Sequence, residues 1–141
     1  MKDHVFIDSD VIIDVLSLRP EFLMNSARVL TLVDQKKIVG YTSSLCLVNC
    51  NFVLERAKVE DRPEKIAMIR NLLTILPCTV KDIDDSIQSK FVDFEDGVQH
   101  AIAVNSAMCK IIITRNIKDY AASKLEVLTP EQYLKTIGKI N

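Results

Sequence analysis

Short apolar runs, rich in β-branched residues, alternate along this chain with segments of helical periodicity. The apolar runs cover residues 4–7, 37–41, 76–80, 110–113 and 126–128. Helical patterns start at Val11 and cover residues 21–35, 45–58, 61–73, 93–108 and 131–137, and residues 81–91 form a polar helix or turn. Strands that alternate with helices favour a parallel sheet with helices on both faces. The sequence therefore predicts an α/β fold.

The composition predicts one globular domain and excludes several classes of function. A chain of 141 residues that is 48% hydrophobic and 26% charged suits a single domain over residues 1–141. With only three glycines, a glycine-rich phosphate-binding loop is excluded. The net charge of −1 gives no overall basic field, so contact with nucleic acid has to come from a local patch or a bound cation. The sequence shows no signal peptide and no membrane-spanning run, so we expect a cytoplasmic protein without membrane contact.

Two carboxylates, Asp8 and Asp10, come directly after the first apolar run. In an open α/β sheet, ligands bind beyond the carboxyl ends of the strands. Solvation does not explain a charged side chain at the abrupt end of a buried strand, so Asp8 is a candidate site residue. Asp10 has two interpretations that stay open, since either Asp10 or Ser9 is a candidate N-cap of the next helix. Asp14, one helical turn further on, is expected to face solvent.

A second acidic cluster opens the helix predicted over residues 93–108. Asp93 is a candidate N-cap, and the helix macrodipole favours further acids such as Glu95 and Asp96 in the first turn. Three acids in four residues nevertheless exceed what one cap requires. His100 follows Asp96 by four residues on the same helical face. We expect it to be a partly buried side chain whose ring nitrogens have hydrogen-bond partners.

A third polar cluster follows the apolar run over residues 110–113. Thr114 ends the strand, and Asn116 and Asp119 follow in a segment whose composition is also typical of a turn. Arg115, between them, is a candidate to orient a phosphate group.

Together the three clusters predict a divalent metal site. Magnesium and manganese prefer carboxylate, amide and water oxygens as ligands. Two carboxylates about 4 Å apart repel by roughly 4 kcal/mol at an effective dielectric constant near 20, so such a cluster needs a cation or protons. A metal held there can activate water to attack a phosphodiester.

Four segments in order resemble the PIN domain family, and the chain is most similar to the bacterial VapC-like toxins of that family. The four segments are the N-terminal strand with its DSD sequence, FEDGVQHA over residues 94–101, IITRNIKDY over residues 112–120, and VLTPEQYL over residues 127–134. The similarity covers nearly the full length. It implies a three-layer α/β/α fold with a central parallel sheet of about five strands. It also implies an endoribonuclease dependent on Mg²⁺ or Mn²⁺, which acts on RNA, is the toxin of a toxin–antitoxin pair with a cognate antitoxin as partner, and forms a homodimer.

The resemblance also implies roles for individual residues. Asp8 would be the first metal-binding acid and Asp96 the acid on the second-half helix. Asn116 stands where the family often has an aspartate, and Asp119 is the acid just after it. The implied catalytic set is Asp8, Asp96, Asn116 and Asp119, of which the first three bind the metal, with Asn49, Asp10, Thr114 and Glu95 in support.

One position departs from the family pattern. The helix after the second strand usually carries a glutamate, and Asn49 stands at the matching position. Glu55 lies six residues further and therefore on another face of the helix. An amide oxygen still ligates magnesium but brings no negative charge, so we expect weaker metal binding than in a site with four acids.

Two alternatives to the ribonuclease are carried forward. One is a PIN-like module that binds nucleic acid or protein with a degraded active site, as Asn49 and Asn116 suggest. The other is a phosphatase of the haloacid dehalogenase type, whose N-terminal signature also has two aspartates separated by one residue. In that case Asp8 is the nucleophile and Asp10 the acid and base, but Thr114, Arg115 and Asn116 do not supply the later acidic pair.

Overall fold

A computed structural model describes residues 1–138 of the chain. Five strands form one parallel sheet: β1 (His4–Ile7), β2 (Val39–Ser43), β3 (Thr74–Leu76), β4 (Ile111–Ile113) and β5 (Glu126–Leu128). Their spatial order is β3-β2-β1-β4-β5, so β1 lies at the centre between β2 and β4. The α/β fold and its five-stranded parallel sheet are confirmed.

Residues 1–138 also contain seven α-helices, of which the first six lie between strands and the last follows β5: α1 (Ser9–Leu16), α2 (Leu23–Asp34), α3 (Ser44–Arg56), α4 (Arg62–Leu72), α5 (Val80–Ile87), α6 (Phe94–Asn105) and α7 (Pro130–Gly138). A short 3-10 helix, Ile117–Tyr120, follows β4. None of the helices in residues 1–138 is long and apolar enough to span a bilayer.

The two faces of the sheet are buried in two separate cores, as the alternation of side chains along β1 requires. Val5 and Ile7 pack with α1, α2, α4 and α7, whereas Phe6 packs with α6 on the other face. All three side chains are fully buried. This arrangement gives the three layers that the resemblance implies, and a single domain over residues 1–141 stays a prediction.

One predicted strand is displaced. The run over residues 76–80 predicts a strand, but β3 ends at Leu76 and α5 begins at Val80. The reason is a capping box: the Thr79 side chain accepts a hydrogen bond from the Asp82 backbone N–H, and the Asp82 carboxylate accepts one from the Thr79 backbone N–H. These two bonds start a helix where apolar content alone favours a strand.

Candidate active site

Asp8 lies at the carboxyl end of the central strand β1 and is only 7% exposed. Its Oδ1 accepts a hydrogen bond from the Ser9 backbone N–H at 2.7 Å, and Asp8 is the N-cap of α1. The prediction that Ser9 or Asp10 caps this helix is therefore wrong, because α1 begins immediately after the strand. The Oδ2 of Asp8 lies 2.9 Å from the Thr114 hydroxyl and 3.3 Å from the Tyr120 hydroxyl, and both hydroxyls donate to it. Burial raises the pKa of Asp8, and these hydrogen bonds partly oppose the increase.

Asp10 lies beside Asp8 and shares one of its partners. Its Oδ2 accepts a hydrogen bond from the Arg115 backbone N–H at 2.9 Å and lies 3.3 Å from the Thr114 hydroxyl. A hydroxyl has one proton, so Thr114 donates fully to only one of the two carboxylates at a time. The Oδ1 of Asp10 is buried and has no hydrogen-bond partner within residues 1–138. Burial, and then the charge of Asp8, raise the pKa of Asp10 to about 7.

Asp96, in the first turn of α6, lies in the field of the other acids. Asp93 is the N-cap of α6, as the sequence predicts, and its side chain accepts a hydrogen bond from the Asp96 backbone N–H. The half-buried Asp96 carboxyl has its pKa raised to about 7, first by burial and then by four carboxylates: Asp93, Asp8, Asp119 and Glu95. Charges from the end of β1, the start of α6 and the 3-10 helix therefore act on the Asp96 carboxyl, although these segments are far apart in the sequence.

The remaining predicted residues surround this acidic group more loosely. Asn116 and Asp119 are exposed, and the Asn116 backbone N–H donates to the Thr114 hydroxyl oxygen at 3.1 Å. Glu95 is also exposed, and burial followed by the charges of Asp93 and Asp8 raises its pKa. Asn49 on α3 donates from Nδ2 to the Ser9 hydroxyl at 3.3 Å, which places its amide beside the start of α1.

Arg115 and Asp14 form an ion pair that the sequence analysis missed. Asp14 is fully buried, so the expectation that it faces solvent is wrong. Its two oxygens accept hydrogen bonds from Arg115 Nε at 2.7 Å and Nη2 at 3.0 Å, and the guanidinium stacks on the Phe22 ring at 3.9 Å from the ring centre. Asp10 and Asp14 are four residues apart on one face of α1, which is the sequence signal that both face Arg115. The phosphate role of Arg115 stays a prediction, although its guanidinium is already occupied by Asp14.

The donor chemistry of the site fits a hard divalent cation. Asp8, Asp96 and Asp119 supply carboxylates and Asn116 an amide, while the charge of Arg115 is used mainly by Asp14. The unpartnered oxygen of Asp10 is a further sign of negative charge without a compensating cation. In the described part of the chain, no three or more Asp, Glu, His or Cys side chains are grouped closely enough to hold a metal together. Magnesium is commonly bound through one or two carboxylates and several waters, and this site offers that many.

The fold and this site together define an α/β protein with acidic side chains at the carboxyl edge of a parallel sheet. The profile of the PIN domain family matches residues 4–118, so the chain belongs to the PIN domain family. No curated protein matches the sequence significantly. The family match gives no support to the haloacid dehalogenase alternative.

Solved structures of the same fold include several bacterial toxins. The chain is similar to VapBC2 from Rickettsia felis bound to a DNA fragment from its promoter, with 15% identity, a TM-score of 0.66, and coverage of 88% of this chain and 96% of that chain. A toxin–antitoxin complex from Klebsiella pneumoniae has 20% identity, a TM-score of 0.66 and coverage of 89% and 97%. Mycobacterium tuberculosis VapC20, a toxin that cleaves the sarcin–ricin loop, has 14% identity, a TM-score of 0.66 and coverage of 86% and 98%. At these identities the similarity shows a shared fold.

Removing Arg115 is expected to destabilise the protein strongly. Arg115→Ala leaves the fully buried Asp14 carboxylate with the neutral Ser26 hydroxyl at 3.3 Å and with one more distant cation, Arg19, whose Nη1 lies 3.7 Å away. We therefore expect a loss of about 3–5 kcal/mol in the free energy of unfolding. The matched variant Arg19→Ala removes a side chain that is 45% exposed and should cost about 1 kcal/mol or less. Denaturant titration measures both, and equal losses would contradict the assignment of Arg115 as the main partner.

The crowding of acids around Asp96 predicts a pH-dependent stability difference. The pKa of Asp96 is about 7 in the folded chain, whereas an aspartate free in water has a pKa of 3.8, so between these values the folded state retains a proton that the unfolded state has released. Stability from this group therefore falls as pH rises from about 4 to 7. We expect Asp96→Asn to become more stable than the wild type across this window, with no gain at lower pH.

The comparison has to be made between variants, because another group has the opposite effect. His100 has its pKa lowered to about 4, so its contribution to stability rises with pH between about 4 and 6.5. This contribution is common to the wild type and Asp96→Asn and cancels in their difference. Asn71→Ala, at an exposed position without a titrating group, is the control and should differ from the wild type by a constant amount. Denaturant titrations at several pH values give these differences, and a pH-independent difference for Asp96→Asn would contradict the analysis.

Proposed function

We propose that the protein is an Mg²⁺- or Mn²⁺-dependent endoribonuclease that hydrolyses RNA phosphodiesters as the toxin of a toxin–antitoxin pair. The observation that carries the proposal is the concentration of negative charge at Asp96, whose pKa is raised to about 7 by burial and by neighbouring acids including Asp8 and Asp119. Structural ion pairs do not explain this concentration, since Asp8, Asp96 and Asp119 have no salt bridge within residues 1–138. Perturbed carboxylates gathered in this way are typical of functional sites.

In this proposal Asp8, Asp96 and Asn116 hold the cation, with Asp119 beside them. A bound divalent ion supplies a Lewis acid for a phosphate oxygen and lowers the pKa of a bound water. The chain itself orients the ligands. Thr114 and Tyr120 donate to the same oxygen of Asp8, which fixes its carboxylate. Burial raises the pKa of Tyr120 far above neutrality, so its hydroxyl remains a donor.

Asp10, Asn49 and Glu95 have supporting roles. The Arg115 backbone N–H fixes one oxygen of Asp10 and leaves its other oxygen available to a water or cation. Asn49 bonds to the Ser9 hydroxyl and is placed to hold a water at the edge of the site. Glu95 adds negative charge near Asp96 from an exposed position.

The biological setting is proposed from the family resemblance and the similar structures. One similar protein is a toxin that cleaves the sarcin–ricin loop, and two similar structures contain toxin–antitoxin pairs. They support an RNA substrate and a cognate antitoxin as partners of this chain. From the resemblance we also propose a homodimer that acts in the cytoplasm.

A second candidate function is a PIN-like binding module with a degraded active site. Its support is the neutral Asn49 and Asn116, together with the finding that no three acidic, His or Cys side chains within residues 1–138 are grouped as metal ligands. The two functions differ in whether the chain binds a divalent cation and cleaves RNA.

Asp8→Asn is expected to abolish RNA cleavage. Asparagine still accepts the N-cap hydrogen bond, so the fold is retained, but it removes the most buried charge of the site. We expect a loss of at least about 100-fold in cleavage, because even groups outside the ligand shell of a metal cost 10–100-fold. In the wild type, Mg²⁺ or Mn²⁺ at a hundredfold excess over its dissociation constant should add about 2.7 kcal/mol of stability. Asp34→Asn, the same change at the exposed end of α2, is the control. Equal cleavage by both variants would contradict the nuclease, and so would the lack of any thermal shift with metal.

Asn49→Glu separates the two candidate functions. A carboxylate beside the start of α1 should lower the metal concentration needed for half-maximal cleavage by at least about tenfold. Tenfold corresponds to about 1.4 kcal/mol, and the attraction of a nearby opposite charge at an effective dielectric constant of 20 exceeds this value. Asn49→Gln has the same length without the charge, and Asn51→Glu places the charge on an exposed position of the same helix. If the wild type is inactive and only Asn49→Glu cleaves RNA, the natural protein is the binding module. If neither the wild type nor Asn49→Glu binds metal, the placement of Asn49 at the site is wrong.

A further inference from the structure

A cavity of about 560 Å³ lies between α5, α6 and the segment after the 3-10 helix. This volume is within the range of sites for small organic ligands. Its wall includes Phe91 and His100, and three lysines contribute to its lining: Lys81, Lys90 and Lys124. A larger cavity of about 770 Å³ lies between α2, β2 and α4 and shares no residue with the acidic site.

The lining of the 560 Å³ cavity carries positive charge that is not neutralised. Lys81 forms an ion pair with Asp85, in which the Lys81 Nζ lies 2.8 Å from the Asp85 Oδ2. Lys90 and Lys124 are exposed and form no salt bridge within residues 1–138. Burial, followed by the charge of Lys124, lowers the pKa of His100. Hydrogen bonds from Lys81 and Asn105 lower the pKa of Asp85, and the charge of Lys124 contributes in the same direction. The net charge of the whole chain is −1, and this cavity is a local exception to it.

His100, which lines the same cavity, has a neutral imidazole ring with one N–H donor. Its Nε2 accepts a hydrogen bond from the Lys124 backbone N–H at 2.9 Å. Burial and the charge of Lys124 lower its pKa to about 4, so at neutral pH the ring carries its single proton on Nδ1. The ring also packs on Phe91 with centroids 4.8 Å apart.

The cavity is connected to the acidic site through two elements. Phe91 meets the Tyr120 ring edge to face at 5.8 Å, and the Tyr120 hydroxyl donates to Asp8. On α6, His100 lies one helical turn after Asp96. Gly97, the residue after Asp96, also lines the cavity, so the cavity begins within one helical turn of the acidic site.

We propose that the cavity is a subsite that binds an RNA nucleotide next to the cleaved phosphate. Lys90 and Lys124 pair with its flanking phosphates, and His100 Nδ1 donates a hydrogen bond to the nucleotide. An RNA fits better than an acidic protein segment, because the cavity combines free cations with an aromatic wall and adjoins the acids assigned to phosphodiester cleavage. The inference rests on the proposed function.

The test uses RNA binding in a chain that cannot cleave. In the Asp8→Asn background, a short fluorescein-labelled single-stranded RNA of mixed sequence is titrated and its anisotropy measured. Lys90→Ala with Lys124→Ala should weaken binding by roughly 20-fold at 0.1 M monovalent salt and reduce the slope of log affinity against log salt by about 1.4, the value for two phosphate contacts with a single strand. Lys90→Arg with Lys124→Arg should retain most of the affinity.

The matched control removes two other exposed lysines without a salt bridge within residues 1–138, Lys37 and Lys110, by substitution with alanine. They precede β2 and β4, at the amino edge of the sheet. Equal weakening by both double variants would overturn the subsite, since it would reflect only total charge. Unchanged RNA binding in Lys90→Ala with Lys124→Ala would also overturn it. The same variants are titrated with labelled polyglutamate, a polyanion without nucleotides, and a loss of affinity for polyglutamate with unchanged affinity for RNA would assign the cavity to an acidic protein segment instead. Cleavage by the wild type is assayed separately, so a failed nuclease and a failed subsite give different results.

Discussion

The candidate site depends on the register between the two central strands, β1 and β4. In this parallel pairing Ile7 lies opposite Ile113, and the Asp8 backbone N–H continues the ladder by donating to the Ile113 carbonyl at 3.0 Å. The next residues, Asp8 and Thr114, are therefore side by side where the strands end. A shift of one residue would turn the Asp8 side chain to the other face of the sheet, because side chains alternate along a strand.

Several acidic side chains lie near the ends of these two strands, and the nearby Arg115 side chain pairs with Asp14 instead of with Asp8 or Asp96. The guanidinium of Arg115 is bonded to the buried Asp14, so it stabilises the junction between α1 and the segment after β4. Its backbone N–H fixes Asp10 at the same time. A group that neutralised Asp8 or Asp96 directly would compete with a cation. Burial, followed by neighbouring carboxylates, raises the pKa values of Asp10 and Asp96 to about 7, and Arg115 only partly opposes the increase at Asp10.

Local sequence signals succeeded where a pattern had one interpretation and failed where two competed. The strand over His4–Ile7 and the N-cap at Asp93 are as predicted. The strand predicted over residues 76–80 is displaced because the capping box of Thr79 and Asp82 starts α5. The position of Asp14 one helical turn after Asp10 predicts a solvent-facing side chain, but Asp14 is buried against Arg115. Helical periodicity carries no information on a partner 101 residues away in the sequence.

The sequence alone determined the α/β class, the position of Asp8 at a strand end, and the three clusters of polar residues. These follow from periodicity and from short-range preferences of side chains. Only the tertiary structure decided which residues meet. It placed Thr114 against both Asp8 and Asp10, brought Asp119 and Asp8 near Asp96, and put Lys124 beside His100. The physical reason is that such contacts depend on strand register and on helix packing, which are set by the whole core and not by any one segment.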